Sequence, residues 1–308
     1  MDGSLLEKIT ARLWGIHMRH LLKTAWHLCL HWTPLSFRCF LWTLKVYFCG
    51  MRQLGTYDYI GILPEHPDED GYIDVGDIRL VCNEECVPAL RMECDDILGE
   101  SVLQQDLEEF YRLIEAEGPY EFEEVSLEKG DIVIDAGANM GVFSVFAATR
   151  GASRVYAFEP IELIHGILRQ NIRANGHEET VAVVPAGLSD MTGLQTIFTS
   201  GEIGSVAGSS LVFAEQGQGV QAQFTTLDHW VKSNNIHRID FIKADIEGAE
   251  RKLLAGARET LKKFKPRLSI CTYHLPDDPQ VLEELIKEIE PEYHIIQRRK
   301  KLFAWCNR

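Results

Sequence analysis

From residue 131 onward the apolar positions fall into a regular pattern. Short apolar runs at 132–135, 154–158, 181–184, 240–243 and 268–272 alternate with stretches of helical period. Runs that are apolar throughout, with no polar residue at every second position, belong to strands buried on both faces. Strands and helices in alternation then predict a parallel sheet covered by helices on each side. The end of the chain departs from this pattern. A helix predicted at 278–289 is followed by strand candidates at 293–297 and 302–306, joined by a link too short for a parallel crossover. An antiparallel hairpin closing one edge of the sheet is the expected result. The fold class read from the pattern is α/β, a mostly parallel sheet with an antiparallel C-terminal hairpin.

The chain before residue 126 reads differently. Residues 4–50 are apolar at three- and four-residue steps, with Pro34 separating two helices. On a helical wheel Lys8, Arg12, Arg19 and Lys23 fall in a stripe roughly 60° wide, away from Leu6, Ile9, Leu13 and Trp14. Arg38 and Lys45 interrupt the apolar run at 37–48 well short of the ~20 residues a membrane span needs. Such helices serve either as a cap on the main domain or as a peripheral membrane contact. A lead-in with a strand-like run at 77–82 and a helix-like run at 102–116 follows, so the expected division is 1–56, 57–125 and 126–308. The stretch 195–225, rich in Gly and Ser, is too long for a routine connection and is expected as an insertion beside the site, with about 200–219 closing over it.

Charge sharpens the division. The net charge is −15, and residues 1–55 hold seven Lys/Arg against two acids, so the remainder carries −20. A body this acidic repels a phosphate backbone, and nucleic acid is not expected as a partner. The start of the chain lacks the n-region, apolar core and cleavage site of a secretory leader, so a cytoplasmic protein with reduced thiols is expected. Cys82, Cys86 and Cys94 have the spacing C-x3-C-x7-C, which fits no zinc knuckle.

The candidate chemistry begins at Gly130. The run from there to Gly141 puts Asp135, Gly137, Ala138, Asn139 and Gly141 on a turn between a buried strand and a helix. Glycine lets the backbone approach a ligand closely, and the helix N-terminus can receive a carboxylate. Glu159 ends the next strand, 24 residues after Asp135, where a carboxylate can accept both hydroxyls of a ribose; Pro160 is expected to open the following helix. A dinucleotide site uses the same arrangement, but its G-x-G-x-x-G fingerprint needs glycine where Asn139 stands. The features favour S-adenosylmethionine over a dinucleotide.

The blocks IDAGANMG (134–141), FEP (158–160), TLDHW (226–230), DFIKADIEGAE (240–250) and KPRLSICTYH (265–274) together resemble the FkbM-type methyltransferases. The resemblance covers about 180 residues. It implies a class I methyltransferase fold of strand order 3-2-1-4-5-7-6, S-adenosylmethionine as cofactor, and methylation of hydroxyl oxygens on sugars or natural products. Carried over by position, the cofactor turn falls on Asp135, Gly137, Asn139 and Gly141, the ribose acid on Glu159, and the adenine side near Ala186 and Gly187. It is silent on the first 50 residues.

Methyl transfer from a sulfonium needs an aligned acceptor and a base. The fourth and fifth strands end in Lys243, Asp245, Glu247 and His274, at the sheet edge where open α/β folds place their sites. His274 is the expected general base, since an ordinary imidazole titrates near neutrality. Asp245 and Glu247 are alternative bases or orienting groups, with Asp245 also near the cofactor's amino group. The metal-free reading is preferred; if Mg²⁺ binds, Asp245 and Glu247 hold it. Lys243 is expected to pair with Asp245 or to touch substrate. Two other readings stay open: a membrane-associated scaffold that keeps the fold, and a methyltransferase acting on nitrogen or carboxyl groups of protein or lipid.

Overall fold

The computed structural model describes residues 68, 70–75, 77–81, 119–199 and 218–307. The expected N-terminal helices, the helix-like run at 102–116, Cys82, Cys86, Cys94 and the insertion tip at 200–217 lie outside these residues. Among the described residues, no helix is long and apolar enough to cross a membrane.

The central sheet has seven strands in the order β11-β12-β10-β9-β3-β4-β5. They are β3 (Ile132–Ala136), β4 (Arg154–Phe158), β5 (Val181–Val184), β9 (Phe241–Ala244), β10 (Arg267–Cys271), β11 (His294–Arg298) and β12 (Lys301–Trp305). Counted along the chain from β3, this is 3-2-1-4-5-7-6. The strands β5, β4, β3, β9 and β10 run parallel; β12 is antiparallel to both β10 and β11.

Alternate residues of each strand feed two separate cores. On one face Val133, Val155 and Phe241 pack against helix α1 (Val142–Thr149) and helix α2 (Glu162–Ala174). On the other, Ile134, Phe158 and Ile242 meet α3 (Leu227–Ser233), α4 (Glu250–Ala255), α5 (Arg258–Phe264) and α6 (Asp278–Ile289). Burial on both faces is why these strands carry continuous apolar runs. Helix α2 shows the expected amphipathic spacing, with Ile164, Leu168 and Ile172 inward. It starts at Glu162 with Ile161 as its N-cap, so Pro160 precedes the helix and does not open it. Proline fixes the strand end here, and the helix begins only after one more extended residue.

Before the sheet lies a hairpin, β1 (Tyr72–Val75) and β2 (Ile78–Val81). Asn171 of α2 and the helix's C-cap, Asn175, clasp it. Asn171 Oδ1 accepts the Val81 N–H at 2.5 Å, Asn175 Oδ1 accepts the Arg79 N–H at 2.8 Å, and Asn175 Nδ2 donates to the Arg79 carbonyl at 2.6 Å. Asn171 Nδ2 also donates to the Met140 carbonyl at 2.7 Å, joining the hairpin to the turn after β3. Tyr120 and Val125 pack into the same core as β3, so packing runs across the expected boundary at 125/126.

The expected insertion is in its described parts a β-arm. β7 (Gly193–Thr199) and β8 (Gln218–Thr225) pair antiparallel, and β6 (Gly187–Leu188) adds parallel to β8. Ile197, Ala222 and Phe224 fold its inner face onto the core, while Leu194 and Val220 remain exposed.

Candidate active site

At the carboxyl ends of β3, β4, β9 and β10 four of the five motif segments converge. The turn after β3 has three left-handed residues, Gly137 (φ 77°), Asn139 (φ 46°) and Gly141 (φ 88°). The Gly137 and Ala138 N–H groups both donate to the Phe158 carbonyl, at 3.1 and 2.9 Å. This leaves no room beside Gly137: a Cβ there would lie 1.9 Å from the Asp245 carbonyl oxygen. The glycine turn and the loop after β9 are therefore in direct contact.

Glu159 closes the other side of the turn. Its Oε2 accepts the Asn139 N–H at 3.0 Å and its Oε1 accepts the Ile161 N–H at 2.9 Å. The side chain is nearly buried. Burial pushes its pKa up to about 7, against the pull of the two amides and of Lys243. The residues expected to hold the amino-acid end and the ribose of a cofactor are thus neighbours.

Asp135 and Lys243 are placed differently from expectation. They sit directly opposite each other in the parallel register of β3 and β9. Lys243 Nζ lies 3.1 Å from Asp135 Oδ1 and donates to the Gly137 carbonyl at 2.7 Å. The Ser144 hydroxyl donates to Asp135 Oδ2 at 2.6 Å. Asp135 has no solvent exposure, and burial raises its pKa despite the lysine. It anchors the turn through Lys243. Lys243, expected beside Asp245 or substrate, is buried beneath the turn with its ammonium 5.2 Å from the Tyr120 ring centre.

Asp245 is the hub of a second network. It accepts from the Tyr120 hydroxyl at 2.6 Å and from the Tyr273 hydroxyl at 3.3 Å. Burial works to raise its pKa, but the charges of Lys243 and His274, the Tyr120 hydrogen bond and the charge of Lys301 together hold it below the ordinary carboxylate value. Tyr120 was not legible as a site residue. It lies before the motif-bearing core, and a lone tyrosine after Pro119 carries no pattern of its own.

His274 is buried between acids. Its Nδ1 is 3.1 Å from Glu250 Oε1, and its Nε2 is 3.3 Å from Glu247 Oε2 and 3.6 Å from Asp245 Oδ1. Burial alone would lower its pKa, but Glu247, Glu250 and Asp245 outweigh it and push it up to about 10. An imidazole held charged cannot take a proton, so the structure does not support His274 as the general base. Glu247, at a left-handed φ of 54°, keeps 29% of its side chain exposed, against 19% for Asp245. Burial raises the Glu247 pKa.

Two further expectations change. Gly187, expected near an adenine, lies under the Phe224 ring, where a Cβ would come within 2.2 Å of the ring edge, and Ala186 beside it is buried. Both serve the junction of the β-arm. Asp245 and Glu247 were expected as ligands only if Mg²⁺ binds; the ligand atoms of Asp245, Glu250 and His274 all lie within 4.8 Å of one another.

This sheet order, with a glycine turn after its first strand and an acid after its second, defines a Rossmann-like methyltransferase fold. The chain belongs to the FkbM methyltransferase family: residues 135–295 match the Methyltransferase FkbM domain. It is an enzyme of the methyltransferase class. Among its relatives is the 31-O-demethyl-FK506 methyltransferase FkbM of Streptomyces tacrolimicus, 27% identical over 225 residues, covering 63% of this chain and 84% of that protein. The hexuronic acid methyltransferase AglP of Haloferax volcanii is 27% identical over 188 residues, covering 60% of this chain and 74% of that protein. A solved methyltransferase FkbM from Methylobacillus flagellatus superposes with a TM-score of 0.47 at 21% identity over 73% of this chain; the chain spans 55% of that one.

Proposed function

We propose that the enzyme transfers a methyl group from S-adenosylmethionine to a hydroxyl oxygen of a small molecule, a sugar or a natural product. One observation carries the cofactor reading: the Asn139 N–H to Glu159 Oε2 bond sets the glycine turn and the second-strand acid side by side. Each Glu159 oxygen already accepts one backbone N–H, and a carboxylate oxygen can accept a second donor. A ribose diol supplies two such donors. The start of α1 offers its unpaired N–H groups to the methionine carboxylate. A hydroxyl acceptor is supported by the relative named a 31-O-demethyl-FK506 methyltransferase, and a sugar-type acceptor by the one named for hexuronic acid.

In this reading Glu247 takes the acceptor's proton, because it is the most accessible carboxylate of the cluster. Asp245, fixed by two tyrosine hydroxyls, orients the acceptor. Glu247→Gln is expected to lower kcat by about 10²- to 10⁴-fold with cofactor affinity unchanged. An unaltered kcat would remove Glu247 from this role.

Calorimetry of the full chain with S-adenosylmethionine is the decisive test, and no binding ends the proposal. Glu159→Gln should weaken affinity roughly ten- to a hundredfold, the worth of hydrogen bonds to a charged group. The affinity should also depend on pH. The free carboxyl is raised to about 7, and the ribose hydroxyls favour its ionised form. Affinity therefore falls as pH drops below 7, approaching about tenfold per unit, and Glu159→Gln flattens this slope. A wild-type affinity constant from pH 5.5 to 8 would contradict the assignment.

A further inference from the structure

We propose that Asp245, Glu250 and His274 form a binding site for a divalent first-row metal ion. The inference goes beyond the cofactor reading and does not depend on it. The three residues come from separate places in the fold: the loop after β9, the first residue of α4 and the segment after β10. Their ligand atoms share a space 4.8 Å across.

The arrangement is not one of ordinary hydrogen bonds. Glu250 is fully buried and the His274 side chain is 3% exposed. Glu250 Oε1 accepts the Ile246 N–H at 2.9 Å, which fixes the carboxylate, yet its Oε2 has no hydrogen-bond partner. Neither ring nitrogen of His274 makes a hydrogen bond, although carboxylate oxygens lie 3.1 to 3.6 Å away. Buried polar atoms are rarely left so. Donors held about 2.1 Å from one cation at 90–109° stand about 3.0–3.4 Å apart. The ligand atoms of Asp245, Glu250 and His274 lie within 4.8 Å of one another, so small side-chain movements bring one ring nitrogen and two carboxylate oxygens onto one ion.

Charge points the same way. Asp245, Glu247 and Glu250 all lie against one imidazole. Even protonated, that ring neutralises one of the three carboxylates. An imidazole nitrogen with two carboxylate oxygens suits Mn²⁺, Fe²⁺ or Zn²⁺ better than Ca²⁺. Three protein ligands leave coordination positions for water or a hydroxyl.

Mn²⁺ is the probe of choice, because the electron paramagnetic resonance signal of the free ion disappears on binding. Full-length protein stripped with chelator is expected to bind one Mn²⁺ per chain without any cofactor present, and Mn²⁺ is expected to raise its Tm. His274→Gln and Glu250→Gln should each weaken binding by at least tenfold. Circular dichroism of each variant identifies loss through misfolding, and Asp245→Asn provides an independent ligand change if either fails to fold. Absence of Mn²⁺ binding below millimolar concentration, or binding indifferent to these changes, overturns the proposal. So does nitrogen NMR showing both ring nitrogens of His274 protonated when the stripped protein is saturated with diamagnetic Zn²⁺ instead of Mn²⁺. S-adenosylmethionine calorimetry on the same preparation reports separately on the cofactor reading.

Discussion

Lys243→Met is expected to destabilise the enzyme by about 3–5 kcal/mol, the usual loss when one partner of a buried ion pair is removed. The lysine lies 3.1 Å from Asp135, and Asp135 has no access to water. Methionine fills the space and leaves the carboxylate with the Ser144 hydroxyl alone. The Gly137 carbonyl loses its donor as well. For a domain of this size each kcal/mol shifts Tm by roughly 2–4 °C, so a fall of about 10 °C is expected. The double variant Asp135→Asn/Lys243→Met removes the stranded charge and should recover most of the loss. Urea unfolding of the three proteins measures it. A single variant within 1 kcal/mol of wild type would mean the pair does not hold the turn.

Gly137→Ala should be as damaging, by a different route. The left-handed φ of 77° alone strains an alanine by about 1–2 kcal/mol. The methyl group would also lie 1.9 Å from the Asp245 carbonyl oxygen, a backbone atom that cannot swing aside as a side chain can. The β9 loop must then shift, adding about 1–3 kcal/mol and moving Asp245 relative to the turn. Loss of cofactor binding is expected with the loss of stability. Gly130→Ala supplies the control, since Gly130 has φ 91° with nothing within 4 Å of its added methyl. It should show the strain without the collision, and equal effects at the two positions would refute the steric argument.

Much of the fold was legible because its signals are local. The runs at 154–158 and 181–184 coincide with β4 and β5, and the helix at 278–289 coincides with α6. Burial on two faces writes itself into consecutive residues. The C-terminal hairpin followed from link length alone. What depended on pairing between distant segments was not legible. Lys243 was expected to pair with Asp245, two residues on, or to touch substrate, whereas the β3–β9 register sets it against Asp135. The place of His274 required knowing that Glu247 and Glu250 come from a neighbouring loop and helix to enclose it. Glycine and serine between 195 and 225 concealed the strands that flank the insertion, since exposed arms need apolar residues only where they touch the core. The place of Glu159, directly after β4, was legible because a strand end followed by proline is fixed by local sequence.

The clasp of Asn171 ties the hairpin to the catalytic half of the molecule. One side-chain amide spans two segments some sixty residues apart: its oxygen holds Val81, its nitrogen holds Met140. Excising the hairpin to obtain a smaller catalyst would therefore strip a brace from the glycine turn after β3. The upstream segment belongs to the working parts of the enzyme, and minimal versions should retain it.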